Sequence, residues 1–122
     1  MSRKVLIVDD SKTVREVLRA TLTEAGYAVC DSDDGHAALS LVSANEYDLL
    51  MTDLNMPQMD GIEFITRVRA IPGRRFLPIV VLSGENKQAR FRECTTAGAS
   101  GYLQKPFAKE QVLRILQTII PY

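Results

Sequence analysis

The sequence predicts an α/β fold: an open, five-stranded parallel sheet covered by helices on both faces. Three observations carry this. Five short apolar runs recur, at residues 5–8, 27–30, 49–51, 79–82 and 102–103. The first, third and fourth are continuously apolar rather than alternating, as expected of parallel strands buried on both sides. Segments with helical spacing separate the runs, so strand and helix alternate five times.

Each helix has its own signature. Val14, Val17, Leu18, Thr21, Leu22 and Ala25 trace one face, Ser11 stands where an N-cap belongs, and Gly26 follows as a terminating glycine. Ala37, Ala38, Leu41 and Val42 mark the second helix. Ile62, Ile65, Val68 and the apolar stem of Arg69 mark the third, with Asp60 as its N-cap. Phe91 and Cys94 share a face in the fourth, which favours a core role for Phe91. The last carries Val112, Leu113, Leu116, Ile119 and Ile120, and its apolar excess at Ile115, Ile119 and Ile120 is read as core rather than as a dimer surface.

At 122 residues the chain fits one core, so the expectation is a single domain over 1–122. Hydrophobic residues make up 46% and charged residues 25%, ordinary values for a soluble protein. Fifteen basic and fifteen acidic side chains cancel, leaving no global field to attract nucleic acid or an anionic membrane. Cys30 and Cys94 match neither a CxxC motif nor a disulfide scaffold, and are read as reduced, mostly buried thiols. The apolar run near the N-terminus is too short for a signal peptide, so the expected location is cytoplasmic.

In doubly wound sheets ligands bind beyond the carboxyl ends of the strands. Strand one exits at Asp9-Asp10, strand three at Asp53, strand four at Ser83, strand five at Lys105-Pro106. Taken singly, each has a bland reading: a helix cap at Asp10-Ser11, a solvated acid, a turn serine, an exposed lysine. Jointly they bring three carboxylates, a hydroxyl and an ammonium to one edge. Two carboxylates about 5 Å apart repel by roughly 3 kcal/mol at an effective dielectric of about 20. Such a cluster calls for a cation, and an all-oxygen set suits Mg²⁺ better than Ca²⁺. An oxyanion held by metal, lysine and serine is neutralised as phosphoryl transfer requires, and a carboxylate beside it can act as nucleophile.

The stretches VLIVDDS, DLNMPQMDG, IVVLSGE and AGASGYLQKPF, with the spacing between them, resemble the receiver domains of two-component response regulators, most closely the stand-alone, CheY-like ones. The resemblance runs from about residue 4 to the end. It implies the flavodoxin-like (β/α)5 topology with strand order 2-1-3-4-5. It implies Asp53 as the acceptor of a phosphoryl group from a histidine kinase or phosphotransfer protein. Mg²⁺ would be held by Asp10 and Asp53, by the Asn55 backbone carbonyl, and through water by Asp9. Lys105 and Ser83 would contact the phosphoryl oxygens, the Lys105–Pro106 bond would be cis, and Tyr102 would turn inward when Ser83 moves. Asn55 and Glu85 match positions that tune dephosphorylation. A downstream protein would bind a face built around Lys87, Arg90, Phe91, Tyr102 and Gln104. The expected role is chemotaxis-type or other single-domain signalling, with a phosphorelay shuttle or the receiver of a larger regulator as alternatives. The expected state is a monomer, with dimerisation on phosphorylation as the alternative. The chain departs from the commonest pattern in having Ser rather than Thr at 83 and Gly rather than Ala at 84.

Two other classes fit less well. A haloacid-dehalogenase-type hydrolase places its nucleophile on the first strand and a second acid two residues later, where this chain has Asn55. A flavodoxin-like cofactor binder needs a Gly/Ser/Thr-rich phosphate loop after strand one, where Asp9-Asp10 would repel phosphate.

Overall fold

The computed structural model describes residues 2–56, 58–84 and 88–121, except for the side chains of Gln88 and Ala89. The elements run β1 (Lys4–Val8), α1 (Lys12–Glu24), β2 (Ala28–Ser32), α2 (Gly35–Ala44), β3 (Leu49–Asp53), α3 (Gly61–Ala70), β4 (Ile79–Ser83), α4 (Gln88–Ala97), β5 (Gly101–Gln104) and α5 (Lys109–Ile119). All four strand pairings are parallel, and the order is β2-β1-β3-β4-β5. The chain reverses its winding between β1 and β3, and that is where a crevice opens in such a sheet.

Burial follows from the strand period of two. On one face Leu6, Val8, Leu50, Ile79 and Val81 pack against α2, α3 and α4 through Ala38, Val42, Phe64, Val68 and Cys94. On the other, Val5, Ile7, Leu49, Met51, Val80 and Leu82 meet α1 and α5 through Leu18, Leu22, Val112 and Leu116. Each of the larger aliphatic and aromatic side chains among them contributes about 2 kcal/mol by leaving water. Every residue of β3 and β4 is buried, which is why those runs are continuously apolar. The edge strands β2 and β5 are only partly covered.

The caps match the sequence reading. Ser11 accepts from the Val14 N–H and Asp60 from the Glu63 N–H. Gly26 takes φ +99° just past the end of α1, a conformation that side chains other than glycine rarely adopt. The structure also adds corrections. Val17 is 51% exposed and Ala37 is exposed, because both sit on the rim of their helical stripes rather than at the centre. Tyr27 precedes β2 instead of opening it. Cys30 is exposed, contrary to the buried thiol expected, because it lies on the partly covered edge strand; Cys94 is buried as expected. Ile115 and Ile119 are half-buried against the α1/α5 core, the reading preferred over a dimer surface.

Candidate functional site

Strand exits and helix starts build the crevice. Asp9, the first residue past β1, is fully buried. Its Oδ1 accepts from the Ser11 N–H at 2.9 Å, so the turn that caps α1 also orients the carboxylate. Asp10 is exposed, and among the described residues no hydrogen bond or ion pair holds its side chain. Asp53 ends β3 at 5% exposure, with Oδ1 accepting from the Leu54 N–H at 2.9 Å. Ser83 ends β4, also buried, and its carbonyl accepts from the Lys105 N–H at 2.7 Å. That bond fixes the start of the β5–α5 connection, where the Lys105–Pro106 peptide is cis as expected.

The side chains converge. Lys105 Nζ lies 2.8 Å from Asp9 Oδ2 and 3.3 Å from Asp53 Oδ1. Oxygens of Asp9, Asp10 and Asp53 all lie within 4.8 Å of one another. Burial raises the Asp53 pKa, repulsion from Asp9 raises it further, and Lys105 opposes both. For Lys105, burial pulls its pKa down, but bonding to Asp9 and attraction to both carboxylates outweigh this and leave it raised. The ammonium is therefore held charged by the acids it separates.

One ammonium does not balance three carboxylates. Asp9 Oδ2 is buried without a well-directed hydrogen bond, the Lys105 contact being its ionic partner. A buried oxygen whose one partner among the described residues is a shared ammonium, in an all-carboxylate set, fits a small hard cation such as Mg²⁺.

The loop after β3 is anchored from below. Leu54, Met56 and Met59 are buried, whereas Asn55 and Gln58 are exposed. Gln58 takes φ 70°. The Gly61 N–H donates to the Leu54 carbonyl at 2.7 Å, and a Cβ at Gly61 would lie 2.5 Å from the Asp53 carbonyl oxygen. The glycine that opens α3 thus lets the helix start directly against the strand end bearing Asp53. In the sequence this helix start was marked only by its cap, Asp60. The aspartate–glycine pair was visible, but the close approach needs the fold. Arg15 was missed altogether: it reaches back from α1 to donate to the Asp9 carbonyl at 2.8 Å.

The expected output face is partly assembled around α4. Tyr102 and Phe91 rings are 4.9 Å apart, and the Tyr102 hydroxyl meets the Phe91 carbonyl and the Thr95 hydroxyl. Phe91 is half-buried, between the core role and the surface role weighed for it. Arg90 pairs with Glu93, and Gln104 is exposed. Glu85, Lys87 and Pro57 lie outside the described residues.

The family model for the response regulator receiver domain matches residues 5–117. The chain belongs to this family. The receiver domain is 36% identical to the chemotaxis protein CheY of Pseudomonas aeruginosa, covering 95% of this chain and 98% of that protein. It is 37% identical to the response regulator MprA of Mycobacterium bovis, covering 98% of this chain but 51% of MprA. The solved structure of CheY4 from Vibrio cholerae superimposes with a TM-score of 0.95 at 38% identity, covering 98% of this chain and all of that one. The receiver domain of the sensor histidine kinase PA1611 from Pseudomonas aeruginosa superimposes at 0.92 with 31% identity over the whole of both chains, and holds a magnesium ion in its active site cleft. The receiver fold, with its strand order, is thus shared with CheY-type proteins. Among the described residues no helix is long and apolar enough to cross a membrane.

Proposed function

We propose that this receiver domain is a phosphorylation-dependent switch in which Asp53 accepts a phosphoryl group from a phosphohistidine of a sensor histidine kinase or phosphotransfer protein. The observation that carries the reading is the position of Asp53: a buried carboxylate at a strand mouth, facing Lys105 Nζ at 3.3 Å and grouped with Asp9 and Asp10. An Asp53 oxygen attacks phosphorus, the P–N bond to the donor histidine breaks, and the imidazole takes up a proton. Lys105 binds a phosphoryl oxygen, and the Ser83 hydroxyl is the second protein donor. Asp9, Asp10, Asp53 and the Asn55 carbonyl are the groups that would hold Mg²⁺. When bound, the ion supplies charge neutralisation for the transferring oxygens. By their sequence positions, Asn55 and Glu85 are the residues proposed to tune how fast the phosphoryl group is lost.

Ser83 follows Leu82, the register partner of Asp53, and faces Gln104 on β5 across the ladder. A shift of Ser83 toward a new phosphoryl group is therefore one strand away from Tyr102, whose hydroxyl rests on α4. This is the proposed route to an output face made of Arg90, Phe91, Tyr102, Gln104 and Lys87. Near full-length similarity to chemotaxis proteins favours a chemotaxis-type or other single-domain role. The match to half of MprA supports the second reading, a receiver working within a longer regulator.

The deciding experiment is intact mass after incubation with acetyl phosphate and Mg²⁺, with and without EDTA, beside Asp53→Asn. A Mg²⁺-dependent phosphate adduct that the variant lacks is the expected result. A folded wild-type protein with no adduct from either acetyl phosphate or a phosphorylated kinase overturns the reading. Phe91→Ala should leave adduct formation unchanged while weakening a target's binding, and slowed phosphorylation alone would count against the output face.

A further inference from the structure

Strand two, which contributes none of the charged groups gathered at Asp9, Asp53 and Lys105, is nevertheless tied to them. The Asp9 N–H donates to the Ser32 carbonyl at 3.1 Å. On its other side the Asp9 carbonyl accepts from Arg15 Nη1 at 2.8 Å. Arg15 Nε in turn lies 3.4 Å from Asp31 Oδ2, and Arg19 Nη2 holds the other Asp31 oxygen at 2.9 Å. The Arg15 side chain is only 17% exposed, so this bridge is largely shielded from water.

We infer that Arg15, buttressed by Asp31, is a positioning residue for the cation site: it clamps the Asp9 backbone and so presets where Asp10 is presented. The physical reason is local. Among the described residues no side-chain hydrogen bond or ion pair fixes Asp10, so the peptide before it decides where its carboxylate lies. That peptide carries the Asp9 carbonyl, the atom that Arg15 grips. A guanidinium can donate to a carbonyl and a carboxylate at once, whereas a lysine ammonium has no rigid fork with which to do both. Pre-ordering a ligand lowers the conformational cost of binding, and groups that orient metal ligands without touching the metal commonly matter by tenfold or more.

The inference rests on the reading of Asp9, Asp10 and Asp53 as a Mg²⁺ site, and its test separates the two. Charge alone predicts the opposite sign: deleting a cation beside an acid cluster should tighten Mg²⁺ binding. Positioning predicts weakening. Mg²⁺ affinity is read from amide chemical shifts during a MgCl₂ titration, well below each protein's unfolding midpoint. Arg15→Ala is expected to weaken binding about tenfold. Arg15→Lys keeps the charge, remains informative if the alanine variant does not fold, and should weaken binding less but in the same direction. Arg19→Ala removes a nearby charge that does not touch Asp9, and should stay within about twofold of wild type. Unchanged or tighter binding in both Arg15 variants overturns the inference while leaving the proposed function standing. A wild-type protein with no Mg²⁺-dependent shifts overturns the site itself.

Discussion

Gly61 and Asp53 share a space that admits no side chain: a methyl group on Gly61 would lie 2.5 Å from the Asp53 carbonyl oxygen and 2.8 Å from the Leu54 Cα. Both neighbours are backbone, so neither can swing away. Gly61→Ala is therefore expected to destabilise the domain by about 1–3 kcal/mol, as overpacking does. It should also slow Asp53 labelling by acetyl phosphate, because relief comes from moving the strand end. Denaturant midpoints and labelling rates measure the two effects. An alanine variant with wild-type values for both would mean that the helix start shifts freely.

Asp53 is buried beside Asp9, and both burial and repulsion disfavour its charge. Replacing it with a neutral isostere should relieve that cost. Asp53→Asn is expected to raise the thermal midpoint by a few degrees in EDTA. Mg²⁺ should stabilise the wild type by mass action and the variant much less. Calorimetry at several Mg²⁺ concentrations checks both statements.

Lys105 works in the opposite direction. Its removal leaves the fully buried Asp9 carboxylate without its ionic partner. Breaking a buried pair from one side costs about 3–5 kcal/mol. Because the lysine is itself 23% exposed, Lys105→Ala is expected to cost about 2–3 kcal/mol in EDTA. Saturating Mg²⁺ should return part of that stability, and urea unfolding with and without the ion would show it. A loss that Mg²⁺ does not touch would mean the lysine acts through packing instead.

The two thiols should differ sharply in reactivity. Cys30 is exposed, whereas Cys94 is buried and burial pushes its pKa up. Ellman's reagent is expected to modify one thiol promptly in the native protein and the second only on unfolding. Cys30→Ser should abolish the prompt phase.

Much of the crevice was legible because its acids and lysine stand at the ends of unbroken apolar runs. Asp9, Asp53 and Lys105 needed only the strand assignments to be brought together. What stayed hidden depends on distances that sequence periodicity does not encode. Gly61 matters through a Cβ that is not there, and Arg15 through a contact with the main-chain oxygen of Asp9, which lies before the helix begins. Phe64, fully buried, escaped the stripe drawn through Ile62 and Ile65, since α3 meets neighbouring helices as well as the sheet. Cys30 was misjudged for a related reason: the edge position of β2 is a property of strand order, not of its own residues.

Asp9 leaves the first strand, Asp53 the third, and Lys105 the last. During synthesis the acids emerge long before the ammonium that lies between them. A product cut short before β5 would carry buried, mutually repelling charges with nothing fixed to separate them. Its folded state would be penalised at the crevice itself. The strand that closes the sheet is thus also the one that brings the balancing ammonium to acids laid down earlier in the chain.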